Sequence, residues 1–164
     1  MTKIVSIINF LSKEGIESFD SGNEKLNTYF KKYARQNEML GMSRTFLLVD
    51  DFKVIGFYTL SSASLGRSNL PEKEKSKLPN YPIPCIRIGR FAVDTKYQGL
   101  GYGKEMMKNI FTKVVSVSNL VGIFGLIVEP KETAVGFYTK FGFANIPDSE
   151  TYLLAVSTIK KAYK

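Results

Sequence analysis

The chain has 164 residues, 44% of them apolar, and its 23 Lys and Arg against 15 Asp and Glu leave a formal charge of +8 with a pI near 9.5. That length holds one domain over residues 1–164 with a core of its own, and the composition is that of a folded globule rather than a disordered chain. Histidine is absent and Cys85 is the sole cysteine, which removes intrachain disulfides, Cys/His zinc sites, Ser-His triads and Cys-His dyads together; no metal is expected.

No apolar run approaches the roughly 20 residues that span a bilayer. Lys13 and Glu14 interrupt the N-terminal apolar patch before it attains a signal-peptide layout, so the cytoplasm is the expected compartment, away from membranes. The positive balance attracts polyanions, whether nucleic acid, anionic lipid or a phosphate-rich cofactor, without choosing among them.

Residues 4–10 are rich in Ile and Val and are expected as a first strand. Phe19-Asp20-Ser21-Gly22-Asn23 is a turn cluster, in which Ser21 or Asn23 can cap a helix over 24–34. Leu26, Tyr29, Phe30 and Tyr33 recur at helical spacing as its apolar face, while Lys25, Lys31, Lys32 and Arg35 fall away from that stripe. Residues 45–49 and 54–60 are two strands, joined by Asp50-Asp51-Phe52-Lys53 as a hairpin. The charged segment 69–77 follows, with Pro71 suited to a first helical turn and Lys73-Glu74-Lys75 facing solvent. Asn80-Tyr81-Pro82-Ile83-Pro84 is rigid and non-helical.

Residues 85–93 are expected as a long strand, with Cys85 either a packing thiol or a nucleophile. Residues 101–115 predict a helix whose buried stripe is Met106, Met107, Ile110, Phe111 and Val114. The apolar run 120–128 reads as a strand covered on both faces, 132–141 as a helix and 152–156 as a late strand. This order gives an α/β domain with a mixed sheet, whose one clear parallel crossover surrounds a glycine-rich turn.

That turn is Gln98-Gly99-Leu100-Gly101-Tyr102-Gly103, between the strand over 85–93 and the helix that follows. A helix N-terminus has unpaired N–H donors and about half a positive charge, which suits phosphate oxygens. Gly99, Gly101 and Gly103 remove side chains that would keep a pyrophosphate away, and Lys104 adds a cation at the mouth. A Walker loop would need a hydroxyl residue where Glu105 stands. A dinucleotide fingerprint fails on glycine spacing and on Ile123, where an acidic residue would be required.

Gln98, Gly101 and Gly103 match the pyrophosphate loop of the GNAT acetyltransferase superfamily, which the chain resembles. Residues 89–93 look like that family's cofactor-pairing strand, and Gly136-Phe137-Tyr138-Thr139-Lys140-Phe141-Gly142-Phe143 resembles its second signature. The resemblance implies a mostly antiparallel sheet flanked by helices, with a parallel split at the cofactor site. It also implies acetyl-CoA as acetyl donor, and donor contacts from Phe91, Ala92, Val93, Gln98, Gly99, Leu100, Gly101, Tyr102, Gly103 and Lys104. Tyr138 occupies the position of the family's general acid; a phenol of ordinary pKa near 10 stays protonated at pH 7. On the residues alone, Tyr138 could instead pack against Phe137 and Phe141. Glu129 is either a base or water-positioner, or a solvated strand-end charge.

Residues 19–27, 43–46 and 56–60, together with Arg90-Phe91-Ala92-Val93-Asp94 and Tyr97-Gln98-Gly99, look like the toxin branch of that superfamily. Membership of the branch implies acetylation of the α-amine of aminoacyl-tRNA, a block on translation, a ribbon-helix-helix antitoxin as partner, and a homodimer. Lys31, Lys32, Arg35 and Arg44 are the candidate tRNA contacts, with a solvated helix face as the other reading. The alternative activity is acetylation of a small amine, a polyamine or a protein N-terminus.

Overall fold

The computed structural model describes residues 1–66, 70, 72–79 and 82–162. Asn69, Pro71, Asn80, Tyr81 and the Glu74 side chain, in the charged and proline-rich segments, lie outside the described residues. Among the described residues the strands are β1 (Lys3–Ser6), β2 (Arg44–Asp50), β3 (Lys53–Leu65), β4 (Ile83–Val93), β5 (Gly125–Val128), β6 (Ala144–Asn145) and β7 (Tyr152–Ala155). Their order in the sheet is β1-β2-β3-β4-β5-β7-β6. β1–β2, β2–β3, β5–β7 and β6–β7 are antiparallel, and β4–β5 is parallel. The crossover between the parallel strands carries helix α5 (Tyr102–Ser118), as the sequence order requires. No helix among the described residues is long and apolar enough to cross a membrane.

The chain divides into two compact units, Met1–Ser61 with Gly89–Ile110, and Ser62–Ile88 with Phe111–Lys164. β3, β4 and α5 contribute residues to both. In the first unit, helices α1 (Lys13–Glu17), α2 (Glu24–Thr28) and α3 (Ala34–Met39) accompany the β1–β2–β3 meander. Phe19, Phe30 and Phe57 form the aromatic centre of its core, with ring centroids 4.6–5.6 Å apart. Asn23 caps α2 as expected, its side chain accepting from Leu26 N–H at 3.1 Å.

Between α2 and α3 the helix widens into a π segment, Tyr29–Tyr33, in which Ala34 N–H reaches back to Tyr29 C=O. The wider turn shifts the buried face by one residue. Tyr29, Phe30 and Ala34 are buried, whereas Tyr33, expected on the apolar stripe, is 50% exposed.

β1 ends sooner than the Ile/Val pattern predicts. The Ser6 hydroxyl accepts from Ile8 N–H and caps a 3₁₀ turn, Ile7–Asn9, which directs Ile7 into the core. The hairpin forms where it is expected, with Asp50 opposite Lys53 and Asp51 at φ 52° in the two-residue turn.

In the second unit, Leu65, Leu70, Ile83, Cys85, Ile127 and Ile146 form a separate core cluster. Helix α4 (Glu72–Lys75) lies in the charged segment, with Lys75 Nζ 3.2 Å from Glu72 Oε1 and Lys73 exposed. β4 starts at Ile83, two residues before the predicted start. Of the run 120–128, only Gly125–Val128 is strand. α5 continues to Ser118, and the amides of Leu120 and Val121 both bond Val117 C=O at 2.9 Å, so those two side chains are exposed in its terminal turn.

The predicted helix over 132–141 is a 3₁₀ turn, Glu132–Ala134, followed by α6 (Val135–Thr139). Val156 opens α7 (Val156–Ala162) rather than ending the late strand. All five residues of the predicted α5 stripe are buried, at 2% exposure or less.

Gly56 lets β3 approach its neighbours closely. A Cβ there would stand 2.7 Å from Ala92 O and 2.9 Å from the Met106 sulfur. Overpacking of this kind costs about 1–3 kcal/mol. Gly56→Ala is therefore expected to lower unfolding free energy by about that amount in urea denaturation, with an unchanged m-value.

Candidate functional site

The pairing of β4 with β5 ends at Ile88 opposite Val128. Glu129 and then Pro130, which has no N–H to donate, follow β5, while β4 continues through Val93. Phe91, Ala92 and Val93, the predicted donor-binding residues, lie on this continuation. Its start lies close against Thr59 of β3. A Cβ on Gly89 would stand 2.9 Å from Thr59 Oγ1, and that same hydroxyl accepts the Arg90 N–H at 2.9 Å.

Beyond Val93 the chain makes a 3₁₀ turn, Thr95–Tyr97, and enters the glycine turn. Gly99 and Gly101 have φ of 76° and 90°, and a Cβ on either would meet nothing within 4 Å. Their backbone shape thus requires glycine, and open space lies where side chains would point. Gly103 differs: it lies in the first turn of α5 without positive φ, so its contribution is the missing side chain alone. Gly101 C=O accepts Glu105 N–H at 3.1 Å, which leaves the amides of Tyr102, Gly103 and Lys104 in the first turn, where no intrahelical acceptor exists. Leu100 and Lys104 are exposed, and the Tyr102 ring meets Tyr97 edge-on at 6.0 Å. Bare amides, open space and a neighbouring cation fit a pyrophosphate.

Hydrogen bonds from behind hold this turn. Gln98 Nε2 donates to Val93 O at 2.9 Å and to Ser21 O at 3.2 Å, so its side chain braces the turn. Asp94 is buried, and its carboxylate accepts Lys96 N–H at 2.9 Å and Asp20 N–H at 3.0 Å. Thr95 N–H returns a bond to Asp20 C=O at 2.9 Å. Asn27 donates to Asp20 Oδ1, which also accepts Gly22 N–H, each at 2.9 Å. These bonds, Asn27's first, hold the Asp20 carboxyl below its ordinary pKa.

Sequence reasoning treats 19–27 as a turn and cap. It misses Asp20, Asn27 and Asp94 as the brace of a segment some 70 residues away. The available signal was a buried-type carboxylate directly ahead of Thr95-Lys96, where an Asp side chain caps a turn.

In the second unit, Tyr138 is buried in α6, its ring edge-on to Phe137 at 5.2 Å and Phe143 at 5.5 Å. Burial pushes its phenol pKa well above the usual 10. Glu129 lies 3.8 Å from Arg87 Nη2, with both side chains about half exposed. Cys85 is buried in the core cluster, and burial pushes its thiol up to about 11. At that value it is a packing group, not a thiolate nucleophile.

The four predicted RNA contacts separate into two kinds. Arg35 Nη2 donates to Ile7 O and Phe10 O at 3.1 and 2.9 Å, closing the turn after β1. Arg44 pairs with the Glu38 carboxylate and donates to Glu38 O at 3.0 Å; Glu38 is buried and also accepts Thr45 N–H. Both arginines therefore hold local structure. Lys31 and Lys32 lie in the π segment, Lys32 exposed and Lys31 half-buried. Arg90, not among the predicted contacts, places its guanidinium carbon 3.8 Å from the Tyr29 ring centroid.

Removing the donor to a buried carboxylate costs about 1–3 kcal/mol. Arg44→Ala is expected to lose that much stability in urea denaturation, and Lys32→Ala to stay within about 0.5 kcal/mol of the parent.

Residues 9–155 match the family model described as an acetyltransferase (GNAT) domain. A tRNA-acetylating toxin of Mycobacterium tuberculosis (strain ATCC 25618 / H37Rv) is 32% identical over 142 residues, covering 86% of this chain and 85% of that protein. The solved structure of AtaT complexed with acetyl-methionyl-tRNAfMet superposes with a TM-score of 0.88 at 26% identity, covering all of both chains. AtaTR bound with AcCoA gives 0.83 at 28% identity, covering 99% of this chain and 98% of that one. A mutant AtaT toxin bound to the C-terminus of the antitoxin AtaR gives 0.79 at 25%, covering 98% and 95%. With a family model matched over most of its length and a relative of this identity and coverage, the chain belongs to the GNAT acetyltransferase family.

Proposed function

We propose that this protein transfers the acetyl group of acetyl-CoA to the α-amine of an aminoacyl-tRNA, blocks translation by doing so, and is neutralised by a small antitoxin of the ribbon-helix-helix kind. The observation that carries the reading is the bare, braced turn over 98–103 at the end of β4, in a chain whose near-full-length relative is named a tRNA-acetylating toxin. The match over 9–155 supports one catalytic domain. Relatives captured with acetyl-CoA, with acetylated tRNA and with an antitoxin segment support the donor, acceptor and partner.

In this reading the amides of the turn and the first turn of α5 hold the pyrophosphate, Lys104 adds charge, and the backbone of Phe91, Ala92 and Val93 aligns the pantetheine arm. The neutral amine attacks the thioester carbonyl. The N–C bond forms as the C–S bond breaks, Tyr138 donates its phenolic proton to the departing sulfur, and the proton of the new ammonium leaves to water. The aromatic cage of Phe137 and Phe143 keeps the phenol protonated for that step.

Incubation with labelled acetyl-CoA, charged tRNA and a panel of small amines tests the reading. Label is expected on aminoacyl-tRNA; label confined to the amines would overturn it. Tyr138→Phe is expected to keep acetyl-CoA affinity and lower kcat by at least about tenfold, since general acid catalysis contributes 10²–10⁴.

The pH profile carries a sign. A proton donor must be protonated, and a raised pKa keeps Tyr138 protonated to higher pH. kcat/KM is therefore expected to rise through the acceptor's amine pKa, at or below about 8, and to show no falling limb below about pH 10. A descending limb near pH 9 would remove Tyr138 from the acid role.

A further inference from the structure

The fold uses its arginines unequally. Arg35 and Arg44 are tied to carbonyls and a buried carboxylate, and Arg87 lies beside Glu129. Arg90 is exposed, and among the described residues its guanidinium has no carboxylate or carbonyl partner. Yet it is positioned. Its backbone N–H is fixed by Thr59 Oγ1, and its guanidinium lies over the Tyr29 ring, 3.8 Å from the centroid. That ring is buried in the core, and its hydroxyl is anchored by Ser43 Oγ at 3.2 Å and Asn37 Nδ2 at 3.5 Å. The π segment begins at Tyr29, whose buried ring lies beneath Arg90. An arginine stacked on an aromatic keeps its donor edge clear and has lost part of its rotamer freedom in advance, the state that suits a bidentate grip on phosphate.

We propose that Arg90, held by Tyr29, is a positioning residue that grips a backbone phosphate at the single-stranded aminoacylated end of the RNA. The assignment rests on the aminoacyl-tRNA reading. Its basis is position: Arg90 immediately precedes Phe91, Ala92 and Val93. At about 3.3 Å per residue, Arg90 lies within about 10 Å of Val93 along the strand. The acceptor amine is esterified to the terminal nucleotide, so phosphates of the last nucleotides come within that range when the amine meets the thioester. The duplex body does not. Lys31 and Lys32, off the strand on the π segment, are left for more distant phosphates.

The test is steady-state kinetics of the full chain with charged tRNA and acetyl-CoA, for the parent, Arg90→Ala and Arg90→Lys, over a series of salt concentrations. Arg90→Ala is expected to raise KM for aminoacyl-tRNA at least about tenfold, as for loss of one good contact. KM for acetyl-CoA should change by less than about twofold. The salt dependence of log kcat/KM for tRNA should become shallower by about 0.7, the increment for one phosphate contact on a single strand. Arg90→Lys keeps the charge and loses the fork, so it should retain the salt slope and recover only part of the affinity; it also carries the test if Arg90→Ala misfolds. An unchanged tRNA KM and slope would overturn the assignment, as would a rise confined to KM for acetyl-CoA, which would place the phosphate on the donor. Parent protein that leaves charged tRNA unlabelled would overturn the acceptor reading and this assignment with it. Labelling by the parent with an indifferent Arg90→Ala removes the assignment alone.

Discussion

Backbone amides can receive a pyrophosphate only where nothing of the protein's own fills the concavity, and a turn so bare cannot hold its own shape. Gly99 and Gly101 take left-handed conformations with open space beside them, and each glycine costs roughly 0.5–1 kcal/mol of chain entropy relative to alanine in ordered structure. The compensation comes from outside the turn. Gln98 bonds Val93 and Ser21, Asp94 bonds Lys96 and Asp20, Thr95 bonds Asp20, and the Asp94 N–H bonds Ile55 at 2.8 Å. At about 0.5–1.5 kcal/mol net for each hydrogen bond, this set outweighs the entropy of two glycines. The preorganisation is thus a property of Asp20, Asn27 and Asp94 as much as of the glycines.

That brace joins two stretches of sequence that look independent. The turn over 20–23 opens α2, and the turn over 94–98 precedes α5; Asp20 serves both, through its backbone and its carboxylate. α2 leads directly into the π segment that carries Lys31, Lys32 and the Tyr29 ring beneath Arg90. Within the first unit, the segment proposed for the donor and the cations proposed for the acceptor therefore share one rigid support. Net charge alone does not identify those cations. An exposed guanidinium is cheap to leave without an acidic partner, because a surface ion pair contributes only about 0–1 kcal/mol. Arg44 is different, since its partner Glu38 is buried and would be left short of a donor.

Legibility in the sequence followed the range of the interactions. The α5 stripe from Met106 to Val114, the hairpin at Asp51 and the Asn23 cap were readable because their determinants lie within a few residues. The parallel crossover and the glycine turn were readable for the same reason. The end of β1 was not, because one hydroxyl, that of Ser6, outweighs a run of β-branched residues. The π segment was not, because nothing in Tyr-Phe-Lys-Lys-Tyr distinguishes a wide turn from an α-turn, and the choice is made by the packing of Phe30 and Ala34. The roles of Arg35, Arg44 and Arg90 were illegible for a related reason. Arg35 and Arg90 depend on partners far away in the chain, Ile7 and Phe10 for one and the Tyr29 face for the other. Arg44 depends on Glu38, six residues away but beyond the predicted end of the helix over 24–34 and unexpectedly buried.

A chain without histidine has to leave the deprotonation of its acceptor to another agent, and the acceptor itself can supply the solution. At pH 7 an α-amine of pKa about 7.7–8.0 is roughly 10–15% neutral, whereas a lysine amine near 10.4 is about 0.04% neutral. The reactive fraction alone therefore favours an α-amine by a few hundredfold, about 3 kcal/mol, before the protein makes any contact. Glu129 is half exposed and lies 3.8 Å from Arg87 Nη2, as a strand-end ion pair does. Tyr138, by contrast, has the setting that the proposed acid role requires, since burial opposes the phenolate and preserves the donor. The proposed mechanism thus gives the departing thiolate acid assistance from Tyr138 and leaves the incoming amine to reach its neutral form in water. Such an asymmetry selects amines that are already partly neutral, of which the amine of an aminoacyl ester is the extreme case, because the neighbouring ester lowers its basicity further.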